Sequence, residues 1–65
     1  MRIDVSKIKA ALAELGMTQA ALADVSGVSR QSISTILNRG TCSLIVSGKI
    51  AKALGVPVAE IMKED

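Results

Sequence analysis

Thr18–Gly40, TQAALADVSGVSRQSISTILNRG, reads as two short helices joined by a tight turn, and the rest of the chain is arranged around it. Thr18 is a capping residue. Its side-chain oxygen can accept from a first-turn amide that has no partner within the helix, and Gln19 to Val25 continue the helix. Gly27 breaks it, because glycine enters the left-handed backbone region without the clash a Cβ brings there. Ser29 caps the second helix. Val28 before it is spaced to meet Ile33, as Met17 is spaced to meet Leu22, so that an apolar pair fixes the chain's entry into each helix.

Two capped helices separated by about four residues make a helix-turn-helix, whose second helix can be offered to a DNA major groove. The faces of that helix, about residues 29–39, differ in chemistry. Ile33, Ile36 and Leu37 recur at the three- and four-residue spacing of a buried stripe. Arg30, Gln31, Ser34, Thr35 and Asn38 lie elsewhere and form a short, hydrogen-bonding set. Such a set suits base edges, since arginine matches the two guanine acceptors and glutamine the adenine acceptor and donor. A solvated helix face accounts for the same polarity; the turn and the caps favour the nucleic-acid reading.

Residues 5–62 resemble the Cro and phage-repressor type, or Xre-like, helix-turn-helix domains. The matching pieces are LGMTQAALADVSGVSRQSISTILNRG and KIAKALGVPVAEIM, in register over nearly the whole chain. The resemblance implies an all-α fold, a compact five-helix bundle of the phage-repressor DNA-binding-domain type in which helices 2 and 3 form the helix-turn-helix. It implies base reading by Arg30, Gln31, Ser34 and Thr35. Phosphate contacts fall to Thr18, Gln19, Ser29, Ser32, Asn38, Arg39 and Thr41. Several relatives place a buried arginine-glutamate pair between the first helix and the end of the third; here Leu12 and Leu37 stand in its place, an exchange that can be neutral or stabilising.

With 65 residues the chain has room for one small domain, residues 1–65. It contains no histidine and one cysteine, which excludes the usual zinc spacings and histidine-based catalysis, so neither a metal, a cofactor nor an enzymatic activity is expected. Cys42 reads as a small residue in a helix connection within a reducing, cytoplasmic setting. The apolar fraction is 49%, yet no apolar run approaches the roughly 20 residues that span a bilayer, and no secretory signal follows Arg2. Aromatic residues are absent, which argues against the single-strand binders that stack bases on aromatic platforms. Residues 1–57 carry seven basic and three acidic side chains, net +4, whereas residues 58–65 carry Lys63 against Glu60, Glu64 and Asp65, net −2. The acidic end is expected to face away from phosphate.

The first helix is expected from a cap at Asp4 to just before Gly16, burying Val5, Ile8, Leu12 and Leu15 and leaving Lys7, Lys9 and Glu14 in solvent. Ser43 caps a fourth helix with Leu44, Ile50, Ala51 and Leu54 towards the core. Gly48 within it is unfavourable by about 1 kcal/mol relative to alanine, unless close packing requires it. Gly55 ends that helix, and Pro57 opens a fifth, Val58 to about Lys63, with Val58, Ile61 and Met62 as its contacts. Of Ile45 and Val46, at least one is left over for a partner.

One short recognition helix reads few base pairs. The relatives bind as twofold dimers over half-sites about 34 Å apart, so the expected partners are double-stranded DNA carrying an inverted repeat and a second copy of the chain, with no small-molecule ligand evident. The expected role is a transcriptional regulator, a repressor acting by occupancy. The alternative is a protein-interaction module, such as an antitoxin or an anti-repressor partner. Antitoxins commonly carry an extra partner-wrapping segment, whereas this sequence stops within three residues of its expected last helix.

Overall fold

Short polar residues start each helix of the protein. The computed structural model describes residues 1–63. Among them are α1 (Val5–Leu15), α2 (Gln19–Ser26), α3 (Arg30–Arg39) and α4 (Leu44–Leu54), followed by a 3-10 turn at Val58–Glu60. Asp4, Thr18, Ser29 and Ser43 sit in extended backbone, and their side-chain oxygens accept from the amides of Lys7, Ala21, Ser32 and Val46 at 3.1 to 3.2 Å. Such a cap contributes about 1 kcal/mol. Gly27 turns the chain between α2 and α3 at φ 74°, its N–H bound to the Ala23 carbonyl. Val28 and Ile33, on either side of the Ser29 cap, are then both buried in the core.

Helix α2 is central, packing against both α3 and α4, while α1 lies against α4. Leu22 and Ala23 supply its buried side, and Ile8, Leu12, Ile33, Ile36, Ile50, Ala51 and Leu54 close around them. Leu37 packs half-buried against the same cluster that holds Leu12, so the two leucines adjoin one apolar core. Ser47 is the buried polar side chain, its hydroxyl satisfied by donating to the Leu44 carbonyl at 2.7 Å.

Three expectations are corrected. Leu15 is 52% exposed rather than buried. Helix α1 ends in a Schellman motif, with the Gly16 and Met17 amides bound to the Ala13 and Leu12 carbonyls; the chain thereby folds back and Met17 packs on the core while Leu15 turns outward. Leu44 is 72% exposed. Ser47 is the first α4 side chain to be fully buried, so the opening turn projects past the core; Val46 is half-buried and Ile45 is the leftover apolar residue. The fifth helix is a single 3-10 turn, making four helices rather than five among the described residues. Val58 is half-buried, Ile61 is buried and Met62 is exposed.

The reason the last helix stops lies at the other end of the chain. Residues 1–4 run as an extended segment between residues 40–42 and 61–63. On one side the Ile3 and Cys42 amides bind the Gly40 and Met1 carbonyls at 2.9 and 3.0 Å; on the other, the Asp4 and Lys63 amides bind the Ile61 and Arg2 carbonyls at 2.7 and 3.2 Å. Antiparallel bridges Arg2–Thr41 and Ile3–Met62 result. The Ile61 carbonyl and the Lys63 amide are thus engaged across the chain instead of along a helix, while the Ile61 and Met62 amides close the turn on the Val58 carbonyl. Within the segment the side chains alternate, Arg2 outward and Ile3 inward and buried. The expected orientation of the acidic end depends largely on Glu64 and Asp65, which lie outside the described residues.

A β-carbon at Gly48 would meet nothing within 4 Å, so no close packing requires glycine there. Gly48→Ala is therefore expected to raise unfolding stability by about 0.5 to 1 kcal/mol, whereas Ile3→Ala should lower it by about 2 to 5 kcal/mol. Urea denaturation followed by circular dichroism checks both; a neutral Ile3→Ala would show that the extended segment is not part of the cooperative core.

Candidate nucleic-acid interface

Burial of Ile33 and Ile36, with Leu37 half-buried, fixes how α3 is rotated. Gln31, Ser34, Thr35 and Asn38 consequently line its solvent side at positions i, i+3, i+4 and i+7, all exposed, with Arg30 and Arg39 at the two ends. The residues singled out for base reading therefore share one helix face, and Asn38 continues the same stripe.

Local hydrogen bonds decide what several of these groups can offer. Thr35 Oγ1 donates to the Gln31 carbonyl at 3.0 Å, which leaves its oxygen as an acceptor and its methyl group exposed. Ser29 Oγ accepts from the Ser32 amide at 3.1 Å and donates to Ser32 Oγ at 2.8 Å. The cap thus occupies Ser29, and Ser32 keeps the free hydroxyl hydrogen of the pair.

The other singled-out residues surround this face. Thr18 and Gln19 are exposed at the start of α2, where the first-turn amides that the cap does not reach point out of the helix. A shallow depression of about 550 Å³, walled by Ala20, Ala21 and Asp24, lies between that turn and Ser29 and Arg30. Thr41 is exposed beyond α3, its backbone bridged to Arg2. Between α3 and the first turn of α4 runs a groove of about 360 Å³, bordered by Gln31, Thr35, Ile36, Cys42, Ser43 and Val46. Cys42 is half-buried there, and its burial pushes the thiol pKa up against a smaller downward pull from the amino-terminal charge.

A helix-turn-helix family model matches residues 8–61, spanning α2, the turn and α3 and most of the remaining chain. The chain belongs to the Xre/Cro-like helix-turn-helix family. No curated protein and no solved structure matches it. Membership makes the protein a DNA-binding regulator in general terms. Among the described residues, no helix is long and apolar enough to cross a membrane.

Two residues near this interface escaped the sequence reading as site residues. Arg2 and Lys63 stand beside Asn38 and Arg39 in one cleft. The only local signal was the alternation of Arg2 and Ile3, too short to mark a strand. Leu44, expected in the core, instead joins the exposed surface next to Ile45.

Burial of the Cys42 thiol makes stability depend on pH in the alkaline range. Because the folded state holds the proton more tightly, its stabilising contribution is full below the ordinary thiol range and is lost as pH rises through the raised folded value. Cys42→Ala should flatten the alkaline decline in stability, and folded wild-type protein should react with a thiol reagent more slowly than urea-unfolded protein at the same pH. Equal labelling rates in the two states would contradict the burial of this thiol.

Proposed function

We propose that this family member is a sequence-specific repressor that inserts α3 into the major groove of operator DNA and acts by occupancy. The observation supporting it most directly is the unbroken exposed stripe of Gln31, Ser34, Thr35 and Asn38 on the third helix, headed by Arg30. Arg30, Gln31, Ser34 and Thr35 read bases. Gln31 has the paired donor and acceptor that match adenine, and Arg30 the fork that matches guanine. Thr35, with its hydroxyl hydrogen on the Gln31 carbonyl, accepts from a base amino group or lays its methyl on a thymine methyl. Register comes from Thr18, Gln19, Ser29, Ser32, Asn38, Arg39 and Thr41 along the phosphates, with the first amides of α2 favouring an anion.

Residues 1–65 act as one domain in the cytoplasm, and two copies occupy an inverted repeat. A single α3 of ten residues is about 15 Å long and reaches only part of one groove, so a second copy is needed for a site of useful length. Leu44 and Ile45, at 72% and 75% exposure on the opening turn of α4, support a contact between copies.

Selection from a random duplex pool tests this reading. Wild-type protein should enrich an inverted repeat, and the complex should sediment as two subunits per duplex. Gln31→Ala should lose about 1 to 3 kcal/mol at one base position of each half-site, whereas Gln19→Ala should weaken all sequences alike. Folded protein that enriches nothing at low salt would instead direct attention to a protein partner.

A further inference from the structure

Three of the eight basic side chains in the sequence meet at one place. Arg2, Arg39 and Lys63, from the start of the chain, the last position of α3 and the stretch after the 3-10 turn, line a polar cleft of about 280 Å³ together with Asp4 and Asn38. The convergence is imposed by the backbone: the Ile3 amide on the Gly40 carbonyl and the Lys63 amide on the Arg2 carbonyl hold the three segments within hydrogen-bonding distance. Among the described residues Asp4 is the acidic side chain lining the cleft, and one of its carboxylate oxygens is engaged in capping α1 through the Lys7 amide. Among the described residues the lining holds three cations, two guanidinium forks and one ammonium, against one carboxylate, a set that fits a tetrahedral oxyanion. The cleft is also continuous with the DNA-facing stripe, because Asn38 belongs to both.

We infer that the cleft formed by Arg2, Arg39 and Lys63 binds a phosphate group. The phosphate comes either from the backbone of the duplex lying against α3 or from a small phosphorylated ligand. The first source rests on the DNA-binding role proposed above; the second does not. With duplex as source, α3 is flanked by phosphate contacts at both ends, Gln19 and the amides of α2 near its start and this cleft at its finish. Neither Arg2 nor Lys63 touches a base in this arrangement, so the cleft adds affinity without sequence preference.

Two measurements on the full chain test the inference. In the first, backbone amide shifts of wild-type protein are followed while inorganic phosphate is added at fixed pH and ionic strength. Saturable shifts confined to residues 2–4, 38–40 and 63 are expected, and they should vanish in Arg2→Gln/Lys63→Gln. In the second, duplex affinity is measured against salt. The double variant should lose one phosphate contact, so that wild type falls about 3.5-fold more than the variant between about 50 and 200 mM salt, with its preference for operator over random sequence retained. Saturable phosphate binding with an unchanged salt slope assigns the cleft to a small phosphorylated ligand. A reduced slope without binding of free phosphate assigns it to the DNA backbone. No saturable shift together with an unchanged slope overturns the inference while leaving the DNA-binding role standing. Should wild type bind no duplex at all, that role fails, and the phosphate titration alone decides the cleft. If the double variant loses its native amide dispersion, the wild-type titration again decides: saturation at the cleft supports the site, and linear, non-saturating shifts overturn it.

Discussion

Burial around α2 is the constraint on which the rest depends. A chain of 65 residues with one cysteine and no aromatic side chain must build its core from aliphatic packing, and that packing converges on Leu22 and Ala23. Because α2 packs on both α3 and α4, its position sets the angle of α3, and the angle of α3 determines which side chains reach solvent as a group. Ile33 and Ile36 cannot leave the core without exposing apolar surface worth a few kcal/mol, so Gln31, Ser34, Thr35 and Asn38 are held outward on a rigid support. A polar set on a mobile loop would have to be ordered on binding; here the ordering is completed during folding.

The caps divide labour between stability and recognition. Ser29 is spent on the start of α3, which takes its acceptor and its hydroxyl hydrogen into local bonds and leaves Ser32 as the outward donor. Thr35 is likewise tied to the helix backbone and presents only an acceptor and a methyl group. Local helix geometry therefore edits the chemistry that composition makes available, and two hydroxyl residues a few positions apart end up offering different things to a ligand.

The extended segment at residues 1–4 closes the structure in a way the helices alone do not. It fills the gap between the end of α3 and residues 61–63, buries Ile3 and satisfies amides and carbonyls on both neighbours. It also gathers like charges from distant parts of the sequence into one cleft.

The sequence by itself determined the four helices, their caps, the turn at Gly27 and the outward stripe of α3, because each depends on spacing within a few residues and on the local chemistry of serine, threonine, aspartate and glycine. Family membership was legible for the same reason. Tertiary structure alone decided the exposure of Leu15 and Leu44, the replacement of a fifth helix by one 3-10 turn, and the assembly of Arg2, Arg39 and Lys63. Periodicity places a residue on a face but does not say where the core ends, so Leu15 and Leu44, on the expected stripes at helix ends, fall outside it. The backbone of residues 61–63 is helix-capable locally, but it bonds to Arg2 and Asp4, nearly the whole chain length away. Pairings at that separation leave no trace in local spacing, since they depend on where the packed helices deliver the two ends.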